Sequence, residues 1–198
     1  MNIDNLENNF FKKQKSHTDY IIKCENGLNL PSKRLIEVKS NGDMSCLEIS
    51  LQWLSQAQKN GLCVMVDSEF NCWPDAMEKH NIDLSELLYV PAPPPEDLYN
   101  MLAKLLEHKE IRLIVLSTIT AMFPLIYDMK EFTEKISNLK EVVQNSNASV
   151  IIVNPYHVLS CDILNQTIYT KLFSHYINKA KIEVFFENLP FLFEHNHN

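Results

Sequence analysis

Leu62-Cys-Val-Met-Val-Asp67-Ser-Glu69-Phe-Asn-Cys-Trp-Pro74 is the stretch on which the fold turns. A short apolar run, rich in Val and Met, breaks off in two carboxylates and then in Trp73-Pro74. A run of this length with little alternation reads as a strand buried on both faces. Acidic residues just past the end of such a strand lie where open α/β sheets place their ligands. Leu113-Ile-Val-Leu116 and Val150-Ile-Ile-Val153 have the same character, and they end in Ser117-Thr118 and Asn154. Three buried strands separated by helical stretches imply a parallel sheet.

Outward from that stretch, Lys33-Arg-Leu-Ile-Glu-Val38 reads as the first strand, followed by a loop at 39–43. Ser45–Lys59 places Leu47, Leu51, Leu54 and Gln58 on one face at helical spacing, with Ile49 and Trp53 beside it. Asp43 is placed to cap that helix and Asn60-Gly61 to stop it. Pro74–His80 reads as a helix with proline in its first turn, ended by Asn81-Ile-Asp83. Leu87–Val90 is a short strand leading into Pro91-Ala-Pro-Pro-Pro95, either a stiff spacer or a ligand for a proline-reading domain. Glu96–Lys109 is an amphipathic helix with Leu98, Met101, Leu102, Leu105 and Leu106 inward, and the strand 111–116 follows. Met129–Asn145 is another helix, facing inward with Phe132, Ile136, Leu139 and Val143, before the strand at 149–153. Beyond an irregular stretch to about Thr167, a helix is expected around Tyr169, Leu172, Phe173 and Tyr176. Lys181–Glu187 alternates as an edge strand does. The expected fold is α/β, a mostly parallel sheet with helices on both faces. A helix (Leu6 to about Lys15) and a connector occupy 1–32, the core occupies 33–187 and a tail 188–198.

The totals narrow the function. The chain of 198 residues is long enough for a full hydrophobic core. Its net charge of −7 argues against strong autonomous binding to nucleic acid, whose affinity comes mainly from Lys and Arg on phosphates. Cys24, Cys46, Cys63, Cys72 and Cys161 are scattered without a C-x-x-C, as reduced thiols of a cytoplasmic protein are. No apolar run approaches a membrane span, and the polar start resembles no secretory signal.

A mononucleotide-binding α/β domain needs Gly-rich N–H donors and a lysine between its first strand and first helix. Here that place reads Ser40-Asn-Gly-Asp-Met-Ser45-Cys46-Leu47. Ser45, Cys46 and Leu47 stand where Gly, Lys and Ser/Thr are needed, so no cation meets the phosphates and no hydroxyl meets magnesium. An acid is also needed at the end of the strand opposite the loop, and that strand ends in Ser117. A base to orient water is the third requirement, and Glu69 is placed to supply it. The simpler reading has Asp67 and Glu69 capping the helix near Pro74 or sitting in solvent.

Taken together, residues 33–154 resemble the core of the bacterial RecA recombinase family. Lys33–Val38 resembles the strand entering its P-loop, and Ala57-Gln-Lys-Asn-Gly61 the end of the helix that follows. Val64-Met-Val-Asp-Ser-Glu69 resembles the strand carrying the family's catalytic glutamate, and Asn81–Leu88 a typical Gly-Val-Asp-x-x-x-Leu-Leu segment. Glu96–Ala121 follows the helix and Walker B strand, and Val150–Asn154 the strand entering the second DNA-binding loop. The resemblance puts the phosphate-binding Lys on Cys46, the magnesium-binding Ser/Thr on Leu47 and the Walker B Asp on Ser117. Glu69 matches the catalytic glutamate and is read as vestigial; Asn154 also matches, and the nucleotide-sensing glutamine falls on Pro155. The DNA-binding loops would lie in Phe123–Asp128, which is short, and in Tyr156–Gln166, which lacks glycines and basic residues. With only 188–198 after the edge strand, the resemblance implies a protein without the family's C-terminal domain.

These departures imply a pseudo-ATPase without cofactor or metal, a protein-binding accessory in recombination, repair or the damage response. Its expected partner is a protein (a recombinase, a polymerase or its own copies), with weak or no DNA binding. The alternative is a divergent ATP-dependent recombinase subunit on single-stranded DNA, with Glu69 acting at a shared interface. An unrelated hydrolase using Asp67, Glu69 and His157 has no supporting motif. His80 and His108 are expected to be solvated or dipole partners near helix ends. Glu194-His-Asn-His197 is either a metal-binding group or a frayed tail. Phe10-Phe-Lys-Lys13 is either a contact to a partner or single strand, or an amphipathic helix packed on the domain. Phe185-Phe186 and Phe191-Leu-Phe193 either form an interface or cover the sheet edge.

Overall fold

The computed structural model describes residues 21–22, 30–39, 45–67, 74–118, 129–154, 166–173 and 181–187. Nine strands and four helices follow in the order β1 Ile21–Ile22, β2 Leu30–Pro31, β3 Leu35–Lys39, α1 Ser45–Gln58, β4 Leu62–Asp67, α2 Pro74–Lys79, β5 Leu87–Pro91, α3 Pro95–Glu107, β6 Ile111–Leu116, α4 Met129–Asn145, β7 Ser149–Asn154, β8 Gln166–Phe173 and β9 Lys181–Glu187. A 3₁₀ turn, Leu84–Glu86, leads into β5.

Seven strands make one sheet in the order β5-β4-β6-β7-β3-β8-β9. The pairs from β5 through β8 are parallel, and β9 closes the far side antiparallel to β8. The fold is therefore α/β, with a mostly parallel sheet. Its central strands are buried throughout, every residue of β3 and β7 being covered. This explains why Val150–Val153 of β7 runs apolar without alternation.

Helices cover both faces. Cys46, Leu47, Ile49, Trp53 and Leu54 of α1 and Met77 of α2 pack on Ile36, Val38, Cys63, Met65, Val115 and Val153. On the other face, Leu98, Leu102 and Leu106 of α3 and Ile136, Leu139 and Val143 of α4 pack on Leu35, Val64, Val66, Ile114, Leu116 and Ile152. Connections of one hand place them so. The chain moves towards β5 through α1 and α2, then back through α3 and α4, and reversing direction transfers the helices to the opposite face.

Two expectations fail on particular segments. Tyr169, Leu172 and Phe173 belong to the strand β8, which pairs with β3 on one side and β9 on the other. The helical spacing of these residues competes with a run of β-branched and aromatic residues, Thr167-Ile-Tyr-Thr170, and pairing with the otherwise open side of β3 decides it. The connector before Pro31 also holds structure: β1 and β2 form an antiparallel pair, Ile22 opposite Leu30. Both side chains join the core beneath α1. The helix expected over Leu6–Lys15 and the segments 188–198 and 119–128 lie outside the described residues, as does Tyr176.

The α1–β4 and α2–β5 turns are tied together. Gln58 exchanges two hydrogen bonds with the backbone of Asp83, donating to its carbonyl at 2.8 Å and accepting from its N–H at 3.0 Å. Asn81, which ends α2, is left-handed at φ 57°, a conformation asparagine tolerates well. Asp83 then caps the 3₁₀ turn by accepting from Ser85 N–H and Oγ, which holds its carboxyl below the usual range.

Gly61 opens β4 at φ 158°, where the chain passes close to the start of β6. A Cβ there would stand 2.7 Å from Glu110 O and 2.8 Å from Arg112 Cγ. The adjacent Leu62 N–H donates to Glu110 O at 3.0 Å, so the two backbones cannot simply separate. Gly61→Ala is expected to destabilise the protein by ~1–3 kcal/mol, read as a lower urea midpoint at unchanged slope. A midpoint at or above that of the parent would contradict this account of the β4 entry.

Candidate functional site

Polar side chains gather at the C-terminal ends of the parallel strands, where open sheets bind ligands. The chain leaves β4 towards β5 and leaves β6 towards β7, so connections diverge between β4 and β6. Asp67 ends β4 and Ser117 directly follows β6 at this divergence.

Asp67 is fully buried. Its Oδ1 accepts a hydrogen bond from Ser117 Oγ at 2.8 Å, and its Oδ2 accepts one from Tyr89 Oη, also at 2.8 Å. The backbone is engaged on both sides too: Ala92 N–H donates to Asp67 O at 3.0 Å and Ser117 N–H to Val66 O at 2.9 Å. A carboxylate taken out of water is tolerated only when donors replace that water. Hydroxyls from the two flanking segments do so here. The expectation that Asp67 caps a helix or sits in solvent is thus corrected: it links β5, β4 and the end of β6.

A second buried group lies on the other face. Asn154 ends β7 and pairs in register with Lys39, which ends β3. Asn154 Nδ2 donates to Glu37 Oε1 at 2.7 Å, and Lys39 Nζ lies 3.2 Å from Glu37 Oε2. All three residues are essentially inaccessible. Alternation along β3 separates them from the Asp67 group, since Leu35, two residues before Glu37, belongs to the α3–α4 face, whereas Cys63 and Met65 before Asp67 belong to the α1–α2 face. The pattern Leu-Ile-Glu-Val-Lys carries a signal for this pair, because two charges two residues apart in an otherwise apolar strand share one face.

The residues expected at a nucleotide site are distributed as follows. Cys46 and Leu47 open α1 and point into the apolar core, Cys46 at 0% and Leu47 at 6% exposure. Ser50 Oγ donates back to Cys46 O at 2.7 Å within the helix. Ser45 is the first residue of α1. Ser117 is a neutral hydroxyl committed to Asp67. Ser40, Glu69, Pro155, His157, the segments 123–128 and 156–165, and the Phe10, Phe191 and His195–His197 groups lie outside the described residues. Among the described residues no group of three or more His, Cys, Asp or Glu side chains could hold a metal ion. No described helix is long and apolar enough to cross a membrane.

The other candidate side chains have structural partners. His80, partly exposed just past the end of α2, has its Nε2 2.5 Å from Glu48 Oε2 and so joins the end of α2 to α1. This hydrogen bond, aided by the charges of His80 and Lys79 and opposed by partial burial, lowers the Glu48 carboxyl below its ordinary range. His108 caps the C-terminus of α3 through its backbone N–H to Leu105 O. Burial pushes the Cys63 thiol up to about 12, so it carries no thiolate at neutral pH. Tyr89 is the residue that sequence reasoning missed, because its partner stands 22 residues away on the neighbouring strand.

No protein-family model matches the sequence, and no curated protein matches it.

Asp67→Ala is expected to lower stability by ~1–3 kcal/mol through loss of the acceptor shared by the two hydroxyls. In a double-mutant cycle with Ser117→Ala, the two losses should be non-additive, and a sum of independent effects would show that the contact carries no energy.

Proposed function

We propose that this chain is a RecA-like fold without nucleotide chemistry, a protein-binding accessory or regulator in DNA recombination, repair or the damage response, working in the cytoplasm. The observation that carries the reading is the hydrogen bond between Ser117 and Asp67 at the ends of β6 and β4. The hydroxyl of Ser117, at the position that the resemblance gives to the magnesium-binding acid, is spent on the buried Asp67 carboxylate. Magnesium on a polyphosphate needs a carboxylate facing its water shell, and Asp67 instead faces Ser117 and Tyr89.

The first helix supports the same reading. Phosphate transfer relies on a cation and a hydroxyl placed at the reacting phosphates, each contributing several kcal/mol of charge stabilisation. Cys46 and Leu47 bring neither, and both are committed to the core. Lys39, at the end of the strand before the loop, is a cation, yet it lies buried in an ion pair with Glu37. The acidic balance of the chain speaks for a protein partner over DNA. The assignment to a process rests on the resemblance, which is analogy of fold and not of site.

The test is a titration of the purified protein with a fluorescent ATP analogue, with and without Mg²⁺ and single-stranded DNA. No saturable binding at millimolar nucleotide is the expected result. Micromolar, Mg²⁺-dependent binding would overturn the reading in favour of a divergent ATP-dependent recombinase subunit.

A further inference from the structure

The helix α3 has flanks of different character. Leu98, Leu102 and Leu106 face the sheet. Tyr99, on one side of that row, lies against α4, with Lys135 Nζ 5.3 Å from its ring centre. The opposite side carries Asp97, Met101, Lys104 and, at the C-cap, His108. These residues are alternately four and three apart, which is the spacing of a helix-pairing seam. With Leu105 and Pro93 they line a shallow groove of about 460 Å³. Met101 and Leu105 are half-buried against the core, whereas Asp97, Lys104 and His108 are exposed.

The seam is charged at both ends, with opposite signs. Asp97 lies in the first turn of α3 and Lys104 in the last. Read backwards, the stripe repeats its own spacing: Asp97 exchanges with Lys104, Pro93 with His108, and Met101 stays at the centre beside Asn100. Two such helices laid antiparallel set each Asp97 against the other copy's Lys104, and the two Met101 side chains meet between them. Laid parallel, they would set acid on acid and base on base, a juxtaposition that costs free energy. Antiparallel neighbours also bring the positive end of each helix dipole beside the negative end of the other.

We infer that the outer flank of α3 is a homodimer seam, on which a second copy of this chain docks about a two-fold axis with its α3 antiparallel to the first. A two-fold interface joins one patch to itself in reverse, so the patch must be self-complementary. The order acid, methionine, base meets that condition. The groove beside Met101 and Leu105 is the space that the other copy's Met101 fills, and an unbranched thioether adapts readily to such a space. A pair of 13-residue helices, each about 20 Å long, buries less than a standard interface, so the dimer is weak and reversible. The seam takes no residue from the Asp67 group, so its failure would leave the nucleotide reading as it stands.

Sedimentation of the purified full-length chain tests the seam. Monomers are expected to give way to dimers between ~10 μM and ~1 mM, the range of a small interface. Added salt should shift the balance back towards monomers. Asp97→Lys and Lys104→Glu, both at exposed positions, should each weaken self-association at least ~10-fold by setting like charges against each other. Combined in one chain they should restore it, because the seam is again complementary in reverse. An equimolar mixture of the two single variants is the decisive arm. One variant then offers only bases and the other only acids, so they should form a heterodimer although neither pairs with itself. Damage to the fold would produce neither the rescue nor the heterodimer. A chain that stays monomeric at ~1 mM, single variants that dimerise like the parent, or a mixture that stays monomeric would each overturn the inference.

Discussion

A carboxylate buried between parallel strands has to be satisfied from within the protein, and in this fold that constraint falls on Asp67. Its two oxygens accept from Ser117 on one side and Tyr89 on the other, so a single residue at the end of β4 holds three neighbouring segments in register. Glu37 performs a comparable task on the opposite face, where Asn154 and Lys39 join β7 to β3. Apolar packing supplies the middle of the sheet, but it is non-directional. The directional links lie at the strand ends, where the apolar runs give out. Removing one partner from such a group costs far more than the pair contributes net, because the remaining group stays buried.

The same constraint bears on function. An α/β sheet offers ligands the crevice at its strand ends, and a site there requires groups directed at the ligand. Asp67, Ser117, Lys39 and Asn154 have the right types and places for such a site, yet Asp67 and Ser117 bond each other, and Lys39 and Asn154 both engage Glu37. Each of these bonds satisfies a buried polar group from within the protein.

Much of the fold was legible because burial on both faces removes alternation. Val64–Val66, Leu113–Leu116 and Val150–Val153 read directly as inner strands, and the apolar spacing of α4 placed it at Met129–Asn145. β8 was not legible, since Tyr169, Leu172 and Phe173 suit a helix by spacing and a strand by residue type, and only the open side of β3 decides between them. The pair β1–β2 involves two residues a side, too few for any period to show. At the site, the sequence shows Cys46, Leu47 and Ser117 as neutral side chains, and the structure adds that all three are buried. What was hidden was the pairing. Asp67 and Ser117 are 50 residues apart and meet because β4 and β6 are neighbours in the sheet, an order that one sequence does not state. Glu48 and His80, 32 residues apart, were hidden for the same reason.

The central claim is that the Asp67 carboxylate is committed to protein hydroxyls and does not face a metal ion. Paramagnetic broadening by Mn²⁺, in the presence of excess ATP, reads this directly from the carboxyl carbon of Asp67 and the amides of Ser117 and Ala92. The account predicts that these resonances keep their linewidths as Mn²⁺ is added. Selective broadening at these three residues would place a metal–nucleotide in the crevice and contradict it.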